Sequence, residues 1–327
     1  DTPGYPGYVG ESIGAMAAAD TVAICINAHA GIQVNTRRTW ELAGRMGKAR
    51  IILVTKRDSH DIEFGELYDE IREAFGPKCI PVNLPFGFGP SFRETLDVLH
   101  AKGGTEAKSK EVWQQFVETA VEADDDVMAK YLDGQSIQDD EMRRVFHLAV
   151  ARGFVVPMLF VSADKGLGET DLLNALIRLA PSPLMAEGLK SYDDKAAKDA
   201  GHAMAASETG ALMAQVFKLH IDKHVGKVAY LRIWSGTLKN GDMVHVGGGH
   251  KKEKVAHIMS VMGKDLQPID SAGAGSIVAV TKMDSLLVGE TVTSDEKPRF
   301  LKPIPLPRPM AQVAVRPKSR NDEGKIS

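Results

Sequence analysis

Three short runs rich in β-branched and aliphatic residues recur along the first half of the chain: residues 21–27 (TVAICIN), 49–55 (ARIILVT) and 155–162 (VVPMLFVS). Each is apolar on both faces of an extended backbone. That pattern fits the interior of a parallel sheet with helices on both sides. Residues 79–84 are strand-like as well. Segments of helical spacing lie between these runs. In 36–47, Trp40, Leu42, Ala43 and Met46 fall near one face and Gly47 closes the run; 62–75 stops at Gly76-Pro77; 168–179 (GETDLLNALIRL) is amphipathic. The alternation predicts a doubly wound α/β sheet, a fold that binds ligands beyond the carboxyl ends of its strands. Residues 92–99, 111–131 and 141–152 carry no strand signal and predict a helical excursion that interrupts the sheet order.

Pro181-Ser182-Pro183 ends this region, and the grammar then changes. Residues 186–208 are rich in Lys, Asp, Ala and Gly, which predicts a mobile or surface-bound linker. Short strand-like runs follow at 211–219, 227–235, 242–246, 254–262 and 276–280. They are punctuated by turns such as Lys239-Asn240-Gly241-Asp242 and Ala272-Gly273-Ala274-Gly275. Closely spaced strands without helices predict a small β-barrel. Pro303, Pro305, Pro307 and Pro309 mark an extended connector over 299–309, and 310–327 restarts a strand pattern, as the opening of a third domain would.

The 327 residues are 43% hydrophobic, enough for two ordinary cores. A net charge of -3 means that any nucleic-acid contact must come from local basic patches. Cys25 and Cys79 sit in apolar runs and read as reduced core thiols of a cytoplasmic protein. Metal-ligand spacings are missing, as is any apolar run near the roughly 20 residues that cross a bilayer.

Three turns carry the candidate chemistry. Asp1-Thr2-Pro3-Gly4 opens the chain. An Asp there suits a water-mediated Mg²⁺ contact, and a Gly lets backbone N–H approach a terminal phosphate; the same tetrapeptide is also a common turn. Thr55-Lys56-Arg57-Asp58 follows the strand at 49–55. Its Asp carboxylate is a bidentate acceptor for the N1–H and 2-amino groups of guanine, with the Lys stem packing over the base; the plainer reading is a charged loop. Ser162-Ala163-Asp164-Lys165 follows the strand at 155–162 and offers backbone N–H groups to the guanine O6. Each is ordinary alone. Together, in order and each at a strand's carboxyl end, they point to one pocket. His29, the pairs Arg37-Arg38, Arg143-Arg144 and Lys251-Lys252, and the turn Phe86-Gly87-Phe88-Gly89 read as loop, solvated-face and packing residues, the basic pairs also as candidate RNA contacts.

With these motifs the chain resembles bacterial elongation factor G, a translational GTPase. The resemblance extends through Leu179-Ala180-Pro181-Ser182-Pro183, Val225-Gly226-Lys227, Arg232-Ile233-Trp234-Ser235-Gly236 and Leu238-Lys239-Asn240-Gly241-Asp242 to Val313-Ala314-Val315-Arg316-Pro317-Lys318. Gly263-Lys264-Asp265 and Tyr8-Val9-Gly10-Glu11 are similar to a divergent branch of that family. The resemblance implies a P-loop GTPase-type α/β domain over 1–185 with a helical insert near 90–152. It also implies a linker at 186–208, an all-β translation-factor barrel over 209–298, and further domains that engage the ribosome. It implies GTP or GDP with Mg²⁺ as ligands. Asp1 would be the metal and water ligand and Gly4 the γ-phosphate sensor. Thr55, Lys56 and Asp58 would read guanine with Ser162, Ala163 and Lys165. The expected partner is the ribosome, through its RNA and proteins, for a monomeric cytoplasmic factor away from membranes.

The family's glycine-rich phosphate loop normally stands ahead of Asp-Thr-Pro-Gly. Here that tetrapeptide comes first, which predicts a piece of a longer protein that binds GTP poorly by itself and leaves the edge of its first strand open. Two residues depart from the family pattern. Tyr5 stands where the family has the His that orients the attacking water. A phenol keeps its proton at neutral pH, so it positions water without taking a proton from it. Thr55 stands where Asn is usual, which removes a bracing amide. The leading expectation is a GTP-hydrolysing ribosome factor; the alternative is a ribosome-binding module with weak or no hydrolysis, which Tyr5 favours. A small-molecule nucleotide enzyme with an accessory barrel is a third reading, opposed by the guanine-type turns.

Overall fold

The computed structural model describes all residues except 57, 59–63, 88, 186–187, 223–224, 249–251, 298, 310 and 317–327. Arg57, residues 62–63, Phe88, Lys251 and most of the expected third-domain opening therefore lie outside the described residues. Residues 311–316 run without regular structure.

The first half contains helix α1 (Val9–Ala18), strand β1 (Thr21–Asn27), α2 (Val34–Arg45), β2 (Ala49–Thr55), α3 (Phe64–Phe75), β3 (Cys79–Pro81), β4 (Asn83–Phe86), β5 (Glu94–Asp97), α4 (Ala107–Val121), α5 (Asp125–Leu132), α6 (Asp139–Arg152), β6 (Val156–Phe160) and α7 (Glu169–Leu179). Four strands form a parallel sheet in the order β1-β2-β6-β3. The register pairs Asn27 with Thr55 and Val54 with Phe160, so the carboxyl ends of β1, β2 and β6 come out at one rim. Every residue of β6 is buried, because helices cover both of its faces. On one face Leu67, Ile71 and Phe75 of α3 meet Ile52, Val54, Met158 and Phe160. On the other, Val145 and Ala149 of α6 and Ala175 and Leu179 of α7 meet Ile51 and Leu159. This is the doubly wound arrangement that the two-faced apolar runs predict.

Three expectations need correction. Cys25 is exposed, because only one face of β1 is covered: Val22, Ile24 and Ile26 are buried, while Ala23 and Cys25 point to the open face; Cys79 is buried as expected. Residues 92–99 are not helical. Glu94–Asp97 is extended and pairs with β4, matching Leu84 with Leu96, and the run expected at 79–84 bends at Val82, whose N–H donates to Met158 in place of a continued ladder. The segment 111–131 is two helices, separated where the Asp124 carboxylate caps α5 by accepting from the Val127 N–H. The insert packs through Trp113, Phe116 and Phe146, with Phe116 and Phe146 edge-to-face at 4.9 Å.

The expected linker is folded where described. Strands β7 (Lys190–Ser191) and β8 (His202–Ala203) pair, and Asp199 closes the loop between them by accepting from the N–H groups of Asp193, Asp194 and Gly201. Tyr192 bridges to Phe300, tying the linker to the proline-rich connector.

The second half contains β9 (Met213–Asp222), β10 (Gly226–Ser235), β11 (Thr237–Lys239), β12 (Met243–Val246), β13 (Lys252–Lys254), β14 (His257–Met262), β15 (Asp265–Ile269), β16 (Ser271–Gly273), β17 (Ile277–Thr281) and β18 (Thr291–Thr293). Eight of them form an antiparallel sheet in the order β13-β12-β18-β9-β10-β17-β14-β15, and β11 pairs with β16. Alternate residues such as Ala229, Leu231 and Ile233 point to one core. Val244 and Ile258, from opposite flanks of the sheet, meet in that core, so the sheet curls as a barrel does.

The halves are docked. The Asp20 carboxylate, just before β1, accepts from the Arg232 guanidinium of β10 at 2.8 Å with both side chains largely buried. The Lys48 ammonium donates to the carbonyls of Ala17 and Ala19 and lies 5.2 Å from the Trp234 ring centre. Gly14 of α1 sits so close to β9 that a Cβ there would lie 2.6 Å from the Phe217 carbonyl oxygen. Phe217 is at a register shift of β9 against β10, a bulge that re-aims the strand toward α1. Among the described residues no helix is long and apolar enough to cross a membrane.

Candidate functional site

The rim of the parallel sheet is where the chemistry-bearing turns gather. Thr55 ends β2, accepts the Ala28 N–H at its carbonyl and donates its hydroxyl to the Ile26 carbonyl at 3.4 Å. It thereby stitches the ends of β1 and β2. Lys56 follows in the left-handed region, at φ 55°. A side-chain-bearing residue there stores on the order of 1 kcal/mol or more, and such strain concentrates at functional turns. The reversal turns the chain so that Asp58, half-buried, reaches across to the next turn.

That turn follows β6. Ser162 is buried and Leu167 closes the loop behind it through two backbone bonds; Gly166 N–H donates to the Ala163 carbonyl and Lys165 N–H to the Ser162 Oγ at 3.3 Å. Ala163 is exposed at the tip, and its N–H takes no part in these closing bonds. The Ser162 hydroxyl donates to the Asp58 carboxylate, which is the main cause holding that carboxyl below its ordinary pKa of 3.8; the nearby Lys165 ammonium adds to it. Asp58 is thus an ionised acceptor beside a turn that presents N–H groups. The Lys165 ammonium is itself engaged, donating to the carbonyls of Pro90 and Phe92 at 3.1 Å each, so it also ties the turn to the start of the insert.

Gly4 joins the same rim through α2. The Asn35 amide, in the first turn of that helix, donates to the Gly4 carbonyl at 2.6 Å. Asp1, Gly4 and Tyr5 are all exposed, and a Cβ on Gly4 would meet nothing within 4 Å, so its backbone is open to approach. Among the described residues no group of three or more His, Cys, Asp or Glu could hold a metal ion. His29 is exposed, with its N–H bonded to Asn27 Oδ1. Arg143 and Arg144 pair with Asp140 and Asp124 on the insert surface.

One positioning residue escapes sequence reading. Asn83 is fully buried at the start of β4. Its amide donates to the Phe160 carbonyl at 3.1 Å and to Asp171 of α7 at 2.9 Å, while its carbonyl accepts the Phe160 N–H at 2.8 Å. It holds the last residue of β6, two positions before Ser162, and so anchors the turn that faces Asp58. The one local signal is a polar residue inside the apolar run IPVNLP.

Residues 1–182 match the family model described as the elongation factor Tu GTP binding domain, and residues 211–295 match that of elongation factor G domain 2. The chain belongs to the elongation factor G-like translational GTPases. Among its relatives, an elongation factor G-like protein of Thermotoga maritima is 32% identical over 340 aligned positions, covering 100% of this chain and 49% of the relative. Elongation factor G of Aquifex pyrophilus is 27% identical, with 100% and 49% covered. A crystal structure of a protein from Thermus thermophilus superposes with a TM-score of 0.81 at 31% identity, covering 100% of this chain and 48% of that one. The chain spans about half the length of the curated relatives it matches. The two family matches divide it between the parallel sheet and the antiparallel one, at the folded linker that β7 and β8 form.

Proposed function

We propose that this chain forms the guanine-nucleotide and barrel portion of a GTP-driven factor that works on the ribosome in the cytoplasm, and that a protein carrying it hydrolyses GTP. The observation that carries the reading is the meeting of Asp58 with Ser162 and Lys165 at one rim of a parallel sheet. The guanine end fits its ligand. An ionised Asp58 accepts from the base N1–H and 2-amino group, the Ala163 N–H donates to O6, the Lys56 stem lies against the ring, and Ser162 and Thr55 hold the two turns. At the phosphate end Asp1 would hold Mg²⁺ through water, and the open Gly4 backbone suits a terminal phosphate. Bound Mg²⁺ supplies charge neutralisation at the phosphates.

Two versions of this reading turn on Tyr5. Its phenol is 77% exposed, free to reach a water in a ribosome complex, yet unable to accept that water's proton as an imidazole does. This favours slow or differently triggered hydrolysis, with the bound nucleotide acting mainly as a conformational ligand for ribosome binding. Phosphate release by the full-length protein, measured with and without ribosomes, separates the versions. Ribosome-stimulated release supports a hydrolysing factor; tight nucleotide-dependent ribosome binding with no stimulated release supports the module. Failure of the full-length protein to bind either GTP or GDP would remove both.

A further inference from the structure

Between the two halves lies a cavity of about 920 Å³, apart from the nucleotide turns, with none of Asp58, Ser162 or Lys165 in its wall. Its size and its place between domains are those of small-molecule sites, which run to roughly 300–1,000 Å³. Much of its lining is apolar, from both halves and the connector: Ile13 of α1, Leu42 and Met46 around α2, Trp234 of β10, and Leu301 and Ile304.

Its charge is one-sided. Arg38, Arg45, Lys48, Arg152, Lys190 and Lys302 line it, against one carboxylate, Asp20. That carboxylate is already engaged by the Arg232 guanidinium. Lys48 and Lys190 donate to backbone carbonyls, which satisfy hydrogen bonds without cancelling charge. Arg38, Arg45 and Lys302 are exposed at the walls, with no carboxylate partner among the described residues. A neutral apolar ligand would leave this cationic wall uncompensated. A polyanion without an apolar body would leave the Ile13, Leu42 and Trp234 surface wet.

We infer that this cavity binds a small anionic amphiphile, with an aliphatic or planar apolar body and a carboxylate or phosphate head, and that its occupancy clamps the two halves together. The clamp follows from linkage. A ligand that touches α1 and α2 on one side and β10 and the connector on the other binds only the docked arrangement, and stabilises it by mass action. The site is independent of the nucleotide reading.

The probes are 11-bromoundecanoate, decanoate and decyl phosphate, titrated below their micelle concentrations into the full-length protein, with decanol and decylamine as neutral and cationic counterparts. Of the three tryptophans in this chain, Trp234 alone lines the cavity. Bromoundecanoate is expected to quench a saturable part of the fluorescence that is missing in Trp234→Phe and retained in Trp40→Phe. Decanoate and decyl phosphate should relieve the quench and raise the melting temperature, the stronger competitor naming the head group. The exposed pair Arg45→Glu/Lys302→Glu should weaken binding roughly tenfold or more, and the milder Arg45→Gln/Lys302→Gln should do so if the reversal unfolds the protein. Arg143→Glu, on the insert, should change nothing. Equal competition by decanol and decylamine, quenching that survives Trp234→Phe, or affinity indifferent to both charge variants would overturn the assignment.

Discussion

At the scale of single residues, the site depends on a carboxylate kept charged by its neighbours. Hydrogen bonding from Ser162 favours the ionised form of Asp58, so guanine affinity should hold as pH falls from neutral toward the ordinary carboxylate range. Replacing the carboxylate by an amide exchanges an acceptor for a donor. Asp58→Asn in the full-length protein should weaken GDP binding by roughly 3 kcal/mol, about a hundredfold, and improve binding of the xanthine counterpart, whose 2-carbonyl accepts from the new amide. Competition titration with the two diphosphates reads this directly, and unchanged preference would remove Asp58 from the base pocket. Tyr5→His restores a group able to take a proton. It should raise ribosome-stimulated phosphate release on the order of tenfold, with nucleotide affinity unchanged. Asn83→Ala leaves the buried Phe160 N–H and carbonyl without their side-chain partner. A stability loss of about 2–4 kcal/mol in denaturant titration is expected, with weaker GDP binding because the Ser162 turn loses its anchor.

At the scale of elements, docking of α1 on β9 rests on a missing side chain. Alanine at position 14 would favour the helix by up to about 1 kcal/mol. It would also put a methyl 2.6 Å from the Phe217 carbonyl oxygen, a backbone atom that cannot swing away. The contact outweighs the propensity, since such overpacking costs about 1–3 kcal/mol. Gly14→Ala should therefore stabilise α1 locally yet loosen the docking. Hydrogen exchange should become faster across β9 at Met213–Asp222 and remain unchanged in β6. The β4–β5 ribbon shows a related conflict between local signal and packing. Glu94–Asp97 has no strong strand pattern, and it is extended because Leu96 finds Leu84 opposite and Asp97 meets Asn174 of α7.

At the scale of the whole molecule, a small electrostatic cluster joins the two halves. Lys48 is mostly buried beside Arg232 and Asp20, and burial brings its pKa down from 10.5 to about 8, with Arg232 pushing the same way and Asp20 opposing. Below pH 8 the lysine is charged in both folded and unfolded chains. Between about 8 and 10.5 the folded chain has released a proton that the unfolded chain keeps, so stability rises with pH across that window. Relative to Lys48→Met, the wild-type protein should gain about 1 kcal/mol per pH unit above 8 in urea titrations. A difference flat with pH would mean that Lys48 is not held in this cluster. Removing Asp20 tests the other arm. Asp20→Ala leaves the Arg232 charge buried without its partner and should cost about 3–5 kcal/mol, most of it recovered in Asp20→Ala/Arg232→Met.

Much of the parallel sheet was legible in the residues themselves. Runs such as ARIILVT are apolar on both faces, a short-range pattern that needs no knowledge of distant chain, and α7 follows from spacing within GETDLLNALIRL. The turns after β2 and β6 stood out for the same reason, each being a local motif after a strand. What only the tertiary structure decided involves partners far apart in the chain. Asn83 reaches Phe160 across 77 residues and Asp171 across 88, and Asp20 meets Arg232 across 212. The exposure of Cys25, the folding of the linker around Asp199, and the cationic cavity are likewise consequences of register and docking. Local periodicity records which way each side chain must face; it carries no term for which surface will be found there.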